Sequence, residues 1–179
     1  AIGPLTLWAV DTAVKARRRV WDVREVEACQ LPGGVAQLEF RRNDLHFKPG
    51  QYVFLNCPAV SKYEWHPFTI SSAPEEEMVT IHLKVVGDWT RKLHDHLSPP
   101  QNPSYARHTV SARRTGHHVL RVDGPYGTPT EAYHKFANVV FVGAGIGATP
   151  FVSILRHLKT VIEEAEIPLE PGSPRPVGA

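Results

Sequence analysis

From residue 20 onward, apolar and polar residues alternate in short runs of the kind a half-buried strand shows. Residues 20–29 (VWDVREVEAC) and 35–40 (VAQLEF) alternate most clearly, and 51–57 (QYVFLNC), 66–72 (HPFTISS), 78–86 (MVTIHLKVV) and 119–122 (VLRV) follow. Turn chemistry separates most of them: Leu31-Pro32-Gly33-Gly34, Lys48-Pro49-Gly50 and Ser72-Ala73-Pro74. Six short strands bounded by Gly/Pro clusters predict a mainly β unit closed as a six-stranded antiparallel barrel. One helix interrupts it. Gly87 ends the fifth run, Asp88 is a fit N-cap, and the segment 89–97 carries Leu93 and Leu97 at i, i+4.

Residues 98–118 are polar and rich in Pro, Ser and Arg without periodicity, which predicts a long surface loop carrying Arg107, Arg113 and Arg114. The pattern then changes. Residues 136–142 (FANVVFV) form a continuous apolar run of the kind buried on both faces of a parallel sheet. A glycine loop follows at once, then a helix over about 150–165 with Val152, Leu155, Leu158 and Ile162 on one stripe. Strand, glycine loop and helix make the first β-α unit of a truncated α/β nucleotide-binding domain, because one strand and one helix cannot cover a parallel sheet.

Composition narrows the reading. The chain has 179 residues, 42% hydrophobic and 21% charged, with formal net charge +2, so nucleic-acid binding is not its main business. Cys29 and Cys57 lie far apart without metal-ligand spacing and read as small buried hydrophobes. No apolar run is long enough to span a membrane, yet residues 2–10 (IGPLTLWAV) precede Lys15, Arg17, Arg18 and Arg19. That order predicts the exit of a transmembrane helix on its cytoplasmic side, with an amphipathic surface helix as the alternative.

Three segments carry candidate chemistry. Gly143, Gly145, Gly147, Ala148, Thr149 and Pro150 (within GAGIGATP) let a backbone approach a diphosphate while the next helix aims its free N–H groups at the charge. Lys84, Gly87 and the helix start at Trp89 and Thr90 make a second anion site. Two such helix starts on one short chain suit a flavin and a nicotinamide dinucleotide side by side. The strand His66-Pro67-Phe68-Thr69-Ile70-Ser71-Ser72 offers a hydroxyl and an aromatic ring beside exposed amides, an arrangement that a flat tricyclic ring could use; otherwise it is an edge strand that tolerates Pro67.

In order along the chain, HPFTISSAPE, IHLKVVGDWT, VDGPYGTPTE and VGAGIGATPF resemble the dehydrogenase region of the NADPH oxidase (respiratory burst oxidase) family, within the ferredoxin–NADP reductase superfamily. The resemblance runs from residue 2 to about 158 and takes in PGQYVF and EWHPFT. It implies that Phe68 lies against an FAD ring, that Thr69 bonds near its reactive nitrogen as the catalytic contact, and that His66 lies by the phosphate-ribose portion. Pro67, Ile70, Ser71 and Ser72 complete that FAD-binding strand. Lys84, Gly87, Trp89 and Thr90 would hold the FAD pyrophosphate. Gly124, Pro125, Tyr126, Gly127 and Thr128 would border flavin and nicotinamide, and the 143–150 loop would receive the NADPH pyrophosphate. The family usually has arginine where Lys84 stands; lysine lacks the planar fork, which implies looser FAD binding.

With the changes of pattern along the chain, this gives a domain order: a juxtamembrane segment 1–19, an FAD-binding barrel 20–123 including the 98–118 loop, and the start of an NADPH-binding domain 124–165; the tail 166–179 takes no part in the resemblance, and its prolines predict disorder. Function would be the flavin-binding part of a membrane NADPH oxidase on the cytosolic face, passing electrons from NADPH through FAD to haem in a transmembrane domain of the same parent and on to oxygen as superoxide. A ferric-chelate reductase and a catalytically incompetent interaction module are the alternatives. No metal site is expected in these residues.

Overall fold

A computed structural model describes residues 3–7, 10, 20–41, 45–98, 107–112 and 118–166. Among these residues eight strands form two four-stranded antiparallel sheets. In the first, β1 (Val20–Val23), β8 (Leu120–Tyr126), β4 (Tyr52–Asn56) and β5 (His66–Thr69) lie in the order β1-β8-β4-β5. In the second, β6 (Met78–Lys84), β3 (Val35–Arg41), β2 (Glu25–Leu31) and β7 (His108–Ser111) lie in the order β6-β3-β2-β7.

The mainly β antiparallel expectation holds, and the six-strand count is corrected. The first alternating run breaks at Arg24, so that β1 joins one sheet and β2 the other. The polar stretch read wholly as loop contains β7, which pairs with β2 from Glu25↔Ser111 to Ala28↔His108. Among the described residues the pairing forms two sheets joined by the single bridge Ile70↔Ile81, rather than one continuous ring of six strands.

Alternation decides what lies between the sheets. Val26 and Ala28 of β2, Leu38 and Phe40 of β3, Val79, Ile81 and Leu83 of β6, and Val53, Leu55, Leu120 and Val122 of the other sheet are all buried. Helix α1 (Asp88–Leu97) adds Trp89, Leu93 and Leu97, spaced so that one stripe faces the core. Its N-cap is Gly87, one residue before the expected Asp88; the Thr90 hydroxyl reaches back and accepts from the Gly87 N–H (3.0 Å). Cys57 is fully buried and burial pushes its thiol pKa up, whereas Cys29 is half-buried.

Helix α2 (Thr149–Glu166) starts one residue before its expected beginning. It docks on the turn after β5: the buried Ser153 Oγ donates to Ser72 O (2.7 Å), and Arg156–Glu76 (3.0 Å) and His157–Glu75 (2.7 Å) flank that bond. The strand expected at 136–142 is absent. That segment has no strand pairing, and Val140 and Val142 are 86% and 85% exposed. A strand buried on both faces needs a neighbour on each side, and among the described residues none lies there.

The expected membrane exit and tail lie mostly outside the described residues. Residues 3–7 are helical, and Leu5 and Leu7 are exposed. Among the described residues no helix is long and apolar enough to cross a membrane.

One buried polar cluster gives the fold a pH response. The Ser71 hydroxyl donates to Thr80 O (2.9 Å) and lies 2.7 Å from His82 Nδ1. Burial first, then the charge of Arg156, pull the His82 pKa below its ordinary 6.5, against an opposing pull from Glu39. A histidine held neutral in the fold takes up its proton more readily when unfolded. Its contribution is therefore complete above about pH 6.5 and is lost as pH falls through the lower folded value. Denaturant midpoints measured from pH 7.5 down to pH 5 should drop more steeply for the wild-type chain than for His82→Gln.

Candidate functional site

Registry between β4 and β5 builds a two-sided surface. Tyr52 opposes Thr69, Val53 opposes Phe68, Phe54 opposes Pro67 and Leu55 opposes His66. Directly opposed side chains share a face, so Tyr52, Phe54, Pro67 and Thr69 lie on one side, and His66 and Phe68 lie on the other with buried Val53 and Leu55. On the first side Tyr126 of β8 joins them: the ring centroids of Tyr52, Phe54 and Tyr126 are 5.4–5.6 Å apart pairwise. The Tyr126 hydroxyl is anchored on the Asp123 carboxylate at 2.9 Å. Tyr52, Phe54, Pro67, Phe68 and Thr69 line an open cleft with about 540 Å³ of empty volume.

On the second side sits the start of α1. The Trp89 ring lies 4.3 Å from that of His66 and stacks at 6.0 Å on Phe68. Trp89 is 6% exposed, and its indole N–H is buried without a hydrogen-bond partner. A buried donor left unmet costs roughly 1–3 kcal/mol.

The helix start is only partly free. Val86 N–H and Gly87 N–H both donate to Thr90 Oγ1 (3.1 and 3.0 Å), so the threonine hydroxyl occupies the Gly87 amide assigned to an anion and the Val86 amide before it. Around Gly87 there is room: a β-carbon added there would meet only Thr90 Oγ1, at 3.9 Å. Arg91, which the sequence pattern does not mark, folds back over this end, its Nη2 donating to Val86 O (2.7 Å) and its Nη1 to Asp88 (3.0 Å). Its position four residues after Gly87 on a helix was the available signal. Tyr52 and Phe54 are likewise absent from the sequence-based set; their spacing of two on an alternating strand pointed to a shared face but not to which one.

The expected site residues divide accordingly. His66, Pro67, Phe68, Thr69, Trp89 and Tyr126 are brought around β5. Ile70, Ser71 and Ser72 are fully buried, with the Ser71 hydroxyl on Thr80 O and the Ser72 hydroxyl accepting from Thr80 N–H, so their side chains face core partners. Thr128 Oγ1 donates to Gly50 O (2.9 Å), tying the end of β8 to the start of β4. Glu131 accepts from Thr128 N–H and from Gln51 Nε2 in the same knot. Gly124 is held at φ +145° against β4, and Lys84 is exposed at the end of β6.

The glycine loop is exposed and leads through a short 3₁₀ turn (Gly145–Ala148) into α2. Gly143 packs on the helix that follows: a β-carbon there would lie 3.0 Å from the Phe151 ring. Gly145 takes a left-handed φ of +55°, and nothing lies within 4 Å of a β-carbon at Gly147.

A family profile described as "FAD-binding domain" matches residues 20–130. The chain is similar to a superoxide-generating NADPH oxidase heavy chain of Dictyostelium discoideum, 42% identical over 88% of this chain and 31% of that one. It is also similar to respiratory burst oxidase homolog protein F of Arabidopsis thaliana, 40% identical over 91% of this chain and 18% of that one. It therefore spans less than a third of either relative's length. Among solved structures, a ferredoxin-NADP+ reductase from Plasmodium falciparum (TM-score 0.50, 17% identity, 80% of this chain and 52% of that one) shares the fold. So does the Amycolatopsis cytochrome P450 reductase GcoB (TM-score 0.50, 17% identity, 78% of this chain and 39% of that one).

Proposed function

Since this chain belongs to the FAD-binding domain family, as the FAD-binding region of an NADPH oxidase or respiratory burst oxidase homologue, we propose that it is the flavin-holding part of a larger membrane oxidase. In that reading electrons pass from NADPH through FAD to haem in a transmembrane domain of the same parent, and oxygen leaves as superoxide. The observation that carries the flavin assignment is the open aromatic and hydroxyl surface that Tyr52, Phe54 and Thr69 present on β4 and β5; the start of α1, with Trp89, packs against the opposite face of the same strand.

These residues fit a flavin dinucleotide. The open cleft is walled by aromatic rings packed edge to face, with a threonine at its edge; among the described residues the Thr69 hydroxyl makes no hydrogen bond within the protein. Thr69 would bond the ring edge and Tyr52 and Phe54 would lie along the cleft, while the Phe68 ring supports the strand from the opposite face. Trp89 N–H, Lys84 and the amides at the start of α1 would receive the phosphates, with room left by Gly87. Bound FAD would supply hydride acceptance and the release of electrons one at a time. The chain's own part is to orient the ring and offset phosphate charge.

The loop at 143–148 and the start of α2 would take the NADPH pyrophosphate. Because 136–142 lacks strand partners here, we expect this chain to bind FAD yet oxidise NADPH slowly by itself. Titration with FAD, followed by the change in flavin absorbance and quenching of its fluorescence, tests the reading; saturable binding is expected, and its absence would overturn the flavin assignment. Lys84→Arg should tighten FAD binding by about three- to tenfold, since a fork replaces a point charge on the phosphate.

A further inference from the structure

A second pocket lies at the other end of the same sheet face. Tyr52, Phe54 and Asn56 alternate along β4, so Asn56 faces outward with them, about 13 Å beyond Tyr52 at strand rise. Its cross-strand neighbour is Arg121 of β8, whose neighbour in turn is Asp22 of β1. Asp22, Asn56, Arg121, His118, Pro58 and Lys62 line an open pocket with about 680 Å³ of empty volume.

The inside of this pocket is arranged rather than incidental. Asn56 is fully buried although it points to the outer face, because the loop after β4 folds over it: Nδ2 donates to Ser61 O (2.8 Å) and Glu64 O (2.7 Å). Both donor positions are thereby used, which fixes the amide's orientation and leaves Oδ1 as a buried acceptor with no partner. Arg121 sits 5.5 Å over the Trp65 ring, and Asp22 is flanked by Arg121 (3.6 Å) and His118 (3.2 Å). Among the lining side chains Lys62 and Arg121 bring two basic groups against the one carboxylate of Asp22.

A bare anion would satisfy Lys62 and Arg121 but would set its own lone pairs against Asn56 Oδ1. A ligand that carries a phosphate and a hydroxyl a few bonds away satisfies both. We propose that this pocket binds a phosphorylated polyol, the phosphate on Lys62 and Arg121 and a hydroxyl donating to Asn56 Oδ1. Such a group occurs both in soluble sugar or inositol phosphates and in lipid headgroups, and the same recognition serves either source. The site is separate from the Thr69 cleft and does not depend on the flavin reading.

Calorimetry on the 179-residue chain with myo-inositol 1-phosphate, inorganic phosphate, and phosphatidylcholine vesicles with and without phosphatidylinositol tests it. The inositol phosphate should bind with a Kd below about 1 mM and about tenfold more tightly than inorganic phosphate, the worth of one hydrogen bond to an otherwise unmet buried acceptor. Lys62→Gln and Arg121→Gln should each weaken it about tenfold while FAD affinity stays unchanged; Lys62 is exposed, so its variant keeps the fold. Binding to phosphatidylinositol vesicles alone, with the same loss in Lys62→Gln, supports the proposal and identifies the lipid as the source. Equal affinity for inorganic phosphate, full binding by Lys62→Gln, displacement by FAD, or no binding to either the soluble or the vesicle probe would each overturn it.

Discussion

Gly124→Ala is expected to lower the unfolding free energy by about 3 kcal/mol, a large share of the stability of a domain this size. The backbone there has φ +145°, a region that L side chains rarely adopt. An added β-carbon would lie 3.0 Å from Val53 Cγ1 and 3.3 Å from both Tyr52 O and Val53 Cα. Two of those three atoms are backbone of β4, and Val53 is fully buried, so none can step aside cheaply. Strain in φ contributes roughly 1–3 kcal/mol and forced overpacking a similar amount. Tyr52 and Phe54 ride on the strand that must move, so FAD affinity should fall with stability. Urea denaturation followed by tryptophan fluorescence reads the first effect, and flavin titration below the transition reads the second. A loss under about 1 kcal/mol would mean that β4 yields more readily than a packed core strand does.

The Trp89→Phe variant separates binding from folding. Phenylalanine keeps an aromatic ring against His66 and Phe68 and removes only an N–H that has no partner in the protein. Unfolding free energy should fall by no more than about 1 kcal/mol, because the smaller ring loses some packing while the unmet donor disappears. FAD affinity should drop roughly 10- to 100-fold, the range for one hydrogen bond to a charged oxygen. Equal FAD affinity in the two proteins would remove Trp89 from the cofactor's contacts. A large stability loss with proportionate loss of binding would assign it to packing alone.

What could be read from the sequence follows the range of the interactions involved. Period-two alternation placed β2 and β3, whose buried residues fall at every second position, while β4, β5 and β6 were legible as short runs between turn residues; in β6 Val79, Thr80 and Ile81 are all buried. It could not show that the chain changes sheets at Arg24, because strand pairing is decided by partners nearly a hundred residues away: β1 pairs with β8. Strand β7 was hidden since His108 to Ser111 is polar and lies on an edge, where hydrogen bonds to β2 supply what side-chain burial does not. The apolar run at 136–142 shows the converse. Its composition is that of a buried strand, and among the described residues it pairs with no sheet.

At the candidate site, sequence order located β5 and the α1 start correctly as neighbours, while the roles of adjacent residues depended on which face each side chain takes. Thr69 and Ile70 differ by one position, yet one lines the open cleft and the other is fully buried in the core. Thr128 carries a hydroxyl that suited a ligand on paper and instead closes the β8-to-β4 connection. Arg91 acquires its place only through the geometry of a helical turn.

The docking of α2 on the turn after β5 joins two halves mechanically. Ser72 O holds Ser153, and three residues upstream of Ser72 is Thr69. The buried hydroxyl bond resists slippage, while the exposed pairs Arg156–Glu76 and His157–Glu75 are individually weak and steer orientation. Any displacement of the glycine loop, which is continuous with α2, therefore pulls on the same short length of chain that presents Thr69.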